Sequence, residues 1–103
     1  ISSRSGSIAE RGTLPHHLRG GNYSYRSSKS ALNALAKSLA FDLLPIGIGV
    51  LVLHPGWVNS GAGDSNATLD VETSVTGMRK IIAGFTSTQT GSFINYDGES
   101  IPW

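Results

Sequence analysis

Apolar residues recur at three- and four-residue steps through the middle of the chain, at Ala31, Leu32, Leu35, Ala36, Leu39 and Leu43. This spacing predicts a helix with an apolar stripe over about residues 23–44. Pro45 closes it, because proline lacks the amide that a further turn needs. Residues 46–53 are aliphatic and β-branched without polar alternation, the pattern of a strand buried on both faces of a parallel sheet. His54-Pro55-Gly56 ends that strand, and residues 57–68 read as a Gly/Asn/Ser loop. Asp70 is placed to cap a second helix over about residues 71–84, with Val71, Val75, Met78, Ile81, Ile82 and Phe85 as its apolar face. A short strand fits residues 92–95, after which Asp97-Gly98 turns the chain toward Ile101-Pro102-Trp103.

The first residues, Ile1-Ser2-Ser3, read as the end of a strand emptying into a long Gly/Ser/His/Arg-rich loop over residues 5–22, so the chain is expected to open in mid-domain. The order strand end, helix, strand, helix, strand is that of consecutive right-handed βαβ units. The expected fold is therefore α/β, the C-terminal half of a doubly wound parallel sheet, with residues 1–103 forming part of a single Rossmann-type domain. Ligands in such sheets bind beyond the carboxyl ends of the strands. The loops after Ser3 and after Leu53 both lie there.

Composition narrows the chemistry. With 39% apolar and 15% charged residues the chain is of globular type, and 103 residues hold one core at most. A formal net charge of +1, with its basic residues interrupted by Gly, Ser and His, argues against a nucleic-acid partner. The absence of cysteine removes thiol chemistry and Cys-based zinc sites. No apolar run is long enough to cross a bilayer and no signal peptide opens the chain, so a cytoplasmic protein with no membrane partner is the default. The triplets Asn22-Tyr23-Ser24 and Asn66-Ala67-Thr68 fit a glycosylation pattern that arises readily by chance.

Tyr25 and Lys29 stand four residues apart at the start of the first predicted helix, which puts both on one face. A free phenol ionises only near pH ~10, and a cation within ~4–6 Å stabilises its charged form. A tyrosine tuned in this way gives a proton to a carbonyl oxygen or takes it back. The spacing alone also fits an aromatic anchor beside a solvated lysine; four further segments favour the chemical reading.

Those segments are Ile1-Ser2-Ser3-Arg4-Ser5-Gly6-Ser7-Ile8, His54-Pro55-Gly56-Trp57-Val58, Thr90-Gly91-Ser92-Phe93, and Tyr96-Asp97-Gly98-Glu99 through Ile101-Pro102-Trp103. Together with Tyr25-Arg26-Ser27-Ser28-Lys29-Ser30-Ala31-Leu32-Asn33, they resemble the short-chain dehydrogenase/reductase family, in particular its carbonyl-reductase-like members. The resemblance implies an oxidoreductase that interconverts a carbonyl compound and an alcohol by hydride transfer, with NADP or NAD as cofactor. It implies Tyr25 as proton donor and Lys29 as the residue that eases its ionisation and holds the cofactor ribose. Ser3, by the same carry-over, hydrogen-bonds the substrate oxygen, with Ser2 and Ser5 as alternatives. Pro55, Gly56 and Val58 line the nicotinamide site, and Ser60 stands where a threonine usually contacts the cofactor. Homo-oligomerisation of the full-length protein is also implied, with the small residues Ala31, Ala34 and Ala36 permitting close approach of the Tyr25 helix to its copy.

Three departures from the family pattern carry consequences. Twenty-one residues separate Ser3 from Tyr25, a longer interval than usual, so the loop carries an insertion that includes His16 and His17. The Gly-rich strand-turn-helix that cradles a pyrophosphate is not in this sequence, and Gly61-Ala62-Gly63 does not supply it. The asparagine that completes the family's catalytic set is likewise missing. Asn59-Ser60-Gly61-Ala62 replaces the usual threonine-containing turn, which weakens cofactor contacts there.

His16 and His17 lack a third ligand at metal spacing and read as loop histidines, and His54 reads as a structural hydrogen-bonding residue. Two other functions fit less of the sequence. A nucleotide-sugar epimerase or dehydratase uses the same tyrosine and lysine, but the 74 residues after Lys29 leave little room for its substrate domain. A truncated or non-catalytic interaction module would keep the helix faces without the cofactor half.

Overall fold

The computed structural model describes residues 1–13, 20–61 and 66–103. Its centre is a pair of parallel strands, β1 (Leu51–His54) and β2 (Ser92–Asn95), in register from Leu51 opposite Ser92 to His54 opposite Asn95. Two helices, α1 (Tyr23–Leu43) and α2 (Val71–Ala83), lead into these strands. Irregular backbone meets both outer edges of the pair. Ser2 N donates to Leu53 O at 2.8 Å on one side, while Asn95 N donates to Glu99 O and Ile101 N to Phe93 O, each at 2.8 Å, on the other. The C-terminal tail thus folds back antiparallel on β2, which removes an open edge.

Val52, Phe93 and Ile101 form the buried cluster, with Ala36 of α1 and Trp103 packed against it. The Trp103 ring stacks on Phe93 with centroids 5.4 Å apart. Ala9 N donates to Trp103 O at 2.9 Å and Ser7 Oγ to Pro102 O at 2.6 Å, so the tail also fastens the loop that follows Ser3.

The α1 boundaries follow the sequence pattern, but the face turned to the sheet does not. Asn33, Ala36 and Ala40 point inward, whereas Leu35, Leu39 and Phe41 are exposed. Small inward residues bring the helix close: a Cβ on Gly91 would lie 3.3 Å from the Ala40 Cβ. Ala36 therefore packs on the chain's own core, while Ala31 and Ala34 stay exposed.

The strand expected over residues 46–53 starts later and runs one residue further. Leu44–Ile46 form a single turn of 3-10 helix around Pro45, which Gly47 closes at φ 78°, so pairing begins only at Leu51. The expected strand end at residues 1–3 contributes backbone bonding and no strand, and the sheet has two strands among the described residues.

Asp70 caps α2 as predicted, its carboxylate accepting from Thr73 N at 2.8 Å. The predicted apolar face of α2 stays partly uncovered in this chain. Ser74 is the buried residue of α2, and Val71, Val75 and Ile82 are exposed. Ser74 Oγ donates to Pro55 O at 2.6 Å, and a Cβ on Gly77 would lie 2.2 Å from Tyr96 O. A short polar residue and a glycine let α2 touch the strand ends, where bulkier side chains would hold it off.

Candidate active site

Three chain segments converge at the carboxyl ends of β1 and β2. Ser3 heads the first. Its side chain caps a 3-10 turn (Arg4–Gly6), with Oγ accepting from Ser5 N at 3.1 Å. Gly6 presses this turn against α1, where a Cβ would lie 2.8 Å from the Lys29 backbone and from Asn33 Nδ2. Ser30 Oγ donates to Gly6 O at 2.9 Å, so the serine turn is bolted to the helix that carries Tyr25 and Lys29.

Tyr25 lies in the first turn of α1, 43% exposed, and the Lys29 Nζ stands 5.7 Å from its ring centroid. The i, i+4 arrangement foreseen for the pair is thus present. The third segment is the His54–Trp57 bend, which turns at Gly56 with φ 82°. A Cβ there would meet Leu69 Cδ2 at 2.5 Å and the Tyr96 ring at 2.8 Å, so both conformation and space require glycine.

Between these segments opens a cleft of about 520 Å³, lined by Ser3, Tyr25, His54, Gly56, Trp57 and Asn95 among others. Ser2, Ser5 and Pro55 also reach it. Lys29 stands behind Tyr25 outside the lining, as do Val58, which bridges to Leu69, and Ser60, which is exposed. The cleft therefore gathers Ser3, Tyr25, Pro55 and Gly56 and leaves Val58 and Ser60 aside. A wider depression of about 910 Å³ runs along α2 to Tyr96 and Asp97, and none of Ser3, Tyr25 and Lys29 borders it. His16, His17, Ala62 and Gly63 lie outside the described residues.

The three candidate serines differ in how their hydroxyls are engaged. Ser2 Oγ donates to Asn33 Oδ1 at 2.6 Å in a buried bond, which commits its proton. Ser3 Oγ accepts from a backbone amide, which leaves its own proton available to a substrate oxygen. Ser5 reaches the cleft as well, and its carbonyl accepts from Arg11.

Arg4 sits at the rim, its Nη2 2.6 Å from Glu99 Oε2 and its Nε 3.3 Å from Glu10 Oε2, tying the serine turn to the C-terminal tail. Burial, and secondarily the Arg4 charge, push the His54 pKa down to about 4, with Asp97 opposing. The imidazole is neutral at neutral pH.

Sequence reasoning passed over Asn33, Asn95 and the Arg4 ion pairs. Asn33 had a legible signal, since a polar residue eight positions after Tyr25 and four after Lys29 shares their helix face. Asn95 and Glu99 had none, because their roles depend on the tail folding back. Among the described residues, no three His, Asp or Glu side chains come together as a metal site. No described helix is long and apolar enough to cross a membrane.

No family profile matches the chain. It is 41% identical over all 103 residues to the C-signal of Myxococcus xanthus, of which it spans 58%. Among solved structures it superimposes along its whole length on carbonyl reductase Sniffer of D. melanogaster, at 46% identity and a TM-score of 0.89 over 39% of that chain. The NADPH-bound carbonyl reductase from chicken fatty liver matches at 35% identity and a TM-score of 0.84 over 41% of its length. The chain thus spans between about two fifths and three fifths of these relatives. Sequence and fold agree with theirs along the whole chain, which is similar to carbonyl reductases of the short-chain dehydrogenase/reductase type and has their Rossmann-type α/β fold.

Proposed function

We propose that this chain carries the substrate-side portion of an oxidoreductase that interconverts a carbonyl compound and an alcohol with NADP(H). The observation that carries the reading is the cleft itself, which brings Ser3 and Tyr25 together with the Pro55-Gly56 bend, with the Lys29 ammonium 5.7 Å from the Tyr25 ring centroid. The carbonyl reductase character of the two solved relatives, one of them NADPH-bound, supports the same assignment.

The residues present suit the nicotinamide end of such a cofactor. Lys29 and Tyr25 offer adjacent donors for ribose hydroxyls, and the Pro55-Gly56-Trp57 bend offers a largely apolar wall for a flat ring. When bound there, the cofactor supplies the hydride for the carbonyl carbon. Tyr25 donates its phenolic proton to the carbonyl oxygen as charge builds on it, and Ser3 donates a second hydrogen bond to the same oxygen. Lys29 offsets the charge left on Tyr25 until solvent reprotonates it. The reverse direction uses the same groups with Tyr25 as base.

The test is aldehyde-dependent oxidation of NADPH by the polypeptide that carries residues 1–103. Tyr25→Phe lowers kcat by about a hundredfold or more, because it removes the proton donor and little else. Wild-type turnover in that variant would overturn the assignment. Ser3→Ala lowers turnover more than Ser2→Ala or Ser5→Ala if Ser3 is the oxygen-binding serine.

A further inference from the structure

His54 and Asn95 are register partners at the carboxyl ends of the two strands, and both line the cleft. Each leaves one buried polar atom, His54 Nδ1 and Asn95 Oδ1, without a hydrogen-bond partner. Asn95 is only 7% exposed, and its backbone amide is already engaged with Glu99 O, so the idle Oδ1 is not a sign of a loose strand. Buried polar atoms in native proteins are almost always paired, and two idle ones on neighbouring residues that both line one cleft point to a place where a ligand completes the bonding.

The chemistry of the missing group follows from what surrounds it. Burial keeps His54 uncharged at neutral pH, and Arg4, which also borders the cleft, is paired with Glu10 and Glu99. Among the residues that line the cleft an anion finds no unpaired cation, and a cation finds no carboxylate on His54 or Asn95. The idle Asn95 Oδ1 only accepts, while Nδ1 of a neutral imidazole either donates or accepts, so their match is an uncharged group that donates to Asn95 and can exchange a second hydrogen bond with His54.

We propose that His54 and Asn95 form a polar subsite that holds the hydroxyl or primary amide of a carbonyl substrate, whose carbonyl lies toward Ser3 and Tyr25. The proposal rests on the oxidoreductase reading for the direction in which the substrate lies. The nicotinamide carboxamide carries the same chemistry, and the test separates the two sources.

The probes are benzaldehydes bearing a methyl or a hydroxymethyl group at the meta or para position, offered with NADPH to the polypeptide that carries this chain. In the wild type, one hydroxymethyl isomer is reduced with kcat/KM about five- to tenfold above its methyl counterpart, the worth of a buried hydrogen bond. His54→Leu and Asn95→Leu each bring that ratio to about one. In parallel, the imidazole nitrogen resonances of wild-type His54, identified by their loss in His54→Gln, shift on adding the hydroxymethyl aldehyde and stay in place with the methyl one. No discrimination in the wild type, or a ratio that survives both leucine variants, overturns the subsite. So do leucine variants that weaken NADPH binding with the ratio intact, since the carboxamide of nicotinamide then occupies the pair. If neither aldehyde is reduced, the oxidoreductase reading fails, and the resonance shift in the wild-type protein still decides whether His54 meets a hydroxyl.

Discussion

The two ends of the same pair of strands are built differently. At the amino end neighbouring polar groups pair with one another: Thr90 Oγ1 accepts from Val50 N at 2.9 Å, Gly91 N donates to Val50 O at 2.8 Å, and Lys37 Nζ donates to Gly91 O at 2.9 Å. The Phe85 ring closes over Gly49 so tightly that a Cβ there would lie 2.2 Å from it. At the carboxyl end the backbone bends through Pro55-Gly56, a cleft opens, and His54 Nδ1 and Asn95 Oδ1 stay unpartnered. One end is closed by its own hydrogen bonds and packing, and the other keeps bonding capacity for a ligand. Parallel sheets produce this asymmetry because the chain leaves every strand on the same side, so the variable loops collect there.

The sharpest test of this division is Lys29→Met, which removes the ammonium behind Tyr25. It reduces kcat by about a hundredfold or more and weakens NADPH binding, while the melting temperature stays near wild type. A variant that melted early with normal kinetics would place Lys29 with the structural end. The converse change, Gly49→Ala, costs about 1–3 kcal/mol of stability, because the added methyl collides with Phe85. Its folded fraction keeps wild-type kinetics, as read by denaturant titration beside the reduction assay.

The smallest effect concerns pH. The folded His54 pKa of about 4 lies below the ordinary 6.5, so the unfolded chain binds a proton that the folded chain resists. Stability contributed by His54 is complete above pH 6.5 and is lost as pH falls toward 4. Arg4 deepens this loss and Asp97 opposes it. Asp70, whose pKa is lowered by its bonds to Thr73, loses its contribution at still lower pH. Melting curves across that window should fall less steeply for His54→Leu than for wild type.

Much of the fold was legible because it rests on local rules. The periodicity from Ala31 to Leu43, the Asp70 cap, the glycine-bearing bend at Gly56 and the short strand Ser92–Asn95 each depend on residues within a few positions of one another. Tyr25 and Lys29 were legible for the same reason, since one helical turn fixes their relation. The late start of β1 was not, because Gly47 and Phe85, rather than the aliphatic run, decide where pairing begins. Which helix residues face the sheet was not legible either, because the apolar residues outnumber the surface these two strands offer to cover them. Val71, Val75, Leu35 and Leu39 stay exposed while Ser74, Asn33 and Ala40 are buried.

By itself, then, the sequence determined the elements, the turns and the tyrosine–lysine pair, all of which short-range sterics and hydrogen bonding specify. Only the tertiary structure decided that the Ser2 hydroxyl donates to Asn33 while the Ser3 hydroxyl accepts from a backbone amide, that Arg4 reaches Glu99 across 95 residues, and that His54 and Asn95 meet with idle polar atoms. Those outcomes depend on contacts between segments far apart in the chain, and nothing in the local pattern of either segment encodes the distance at which they come to rest.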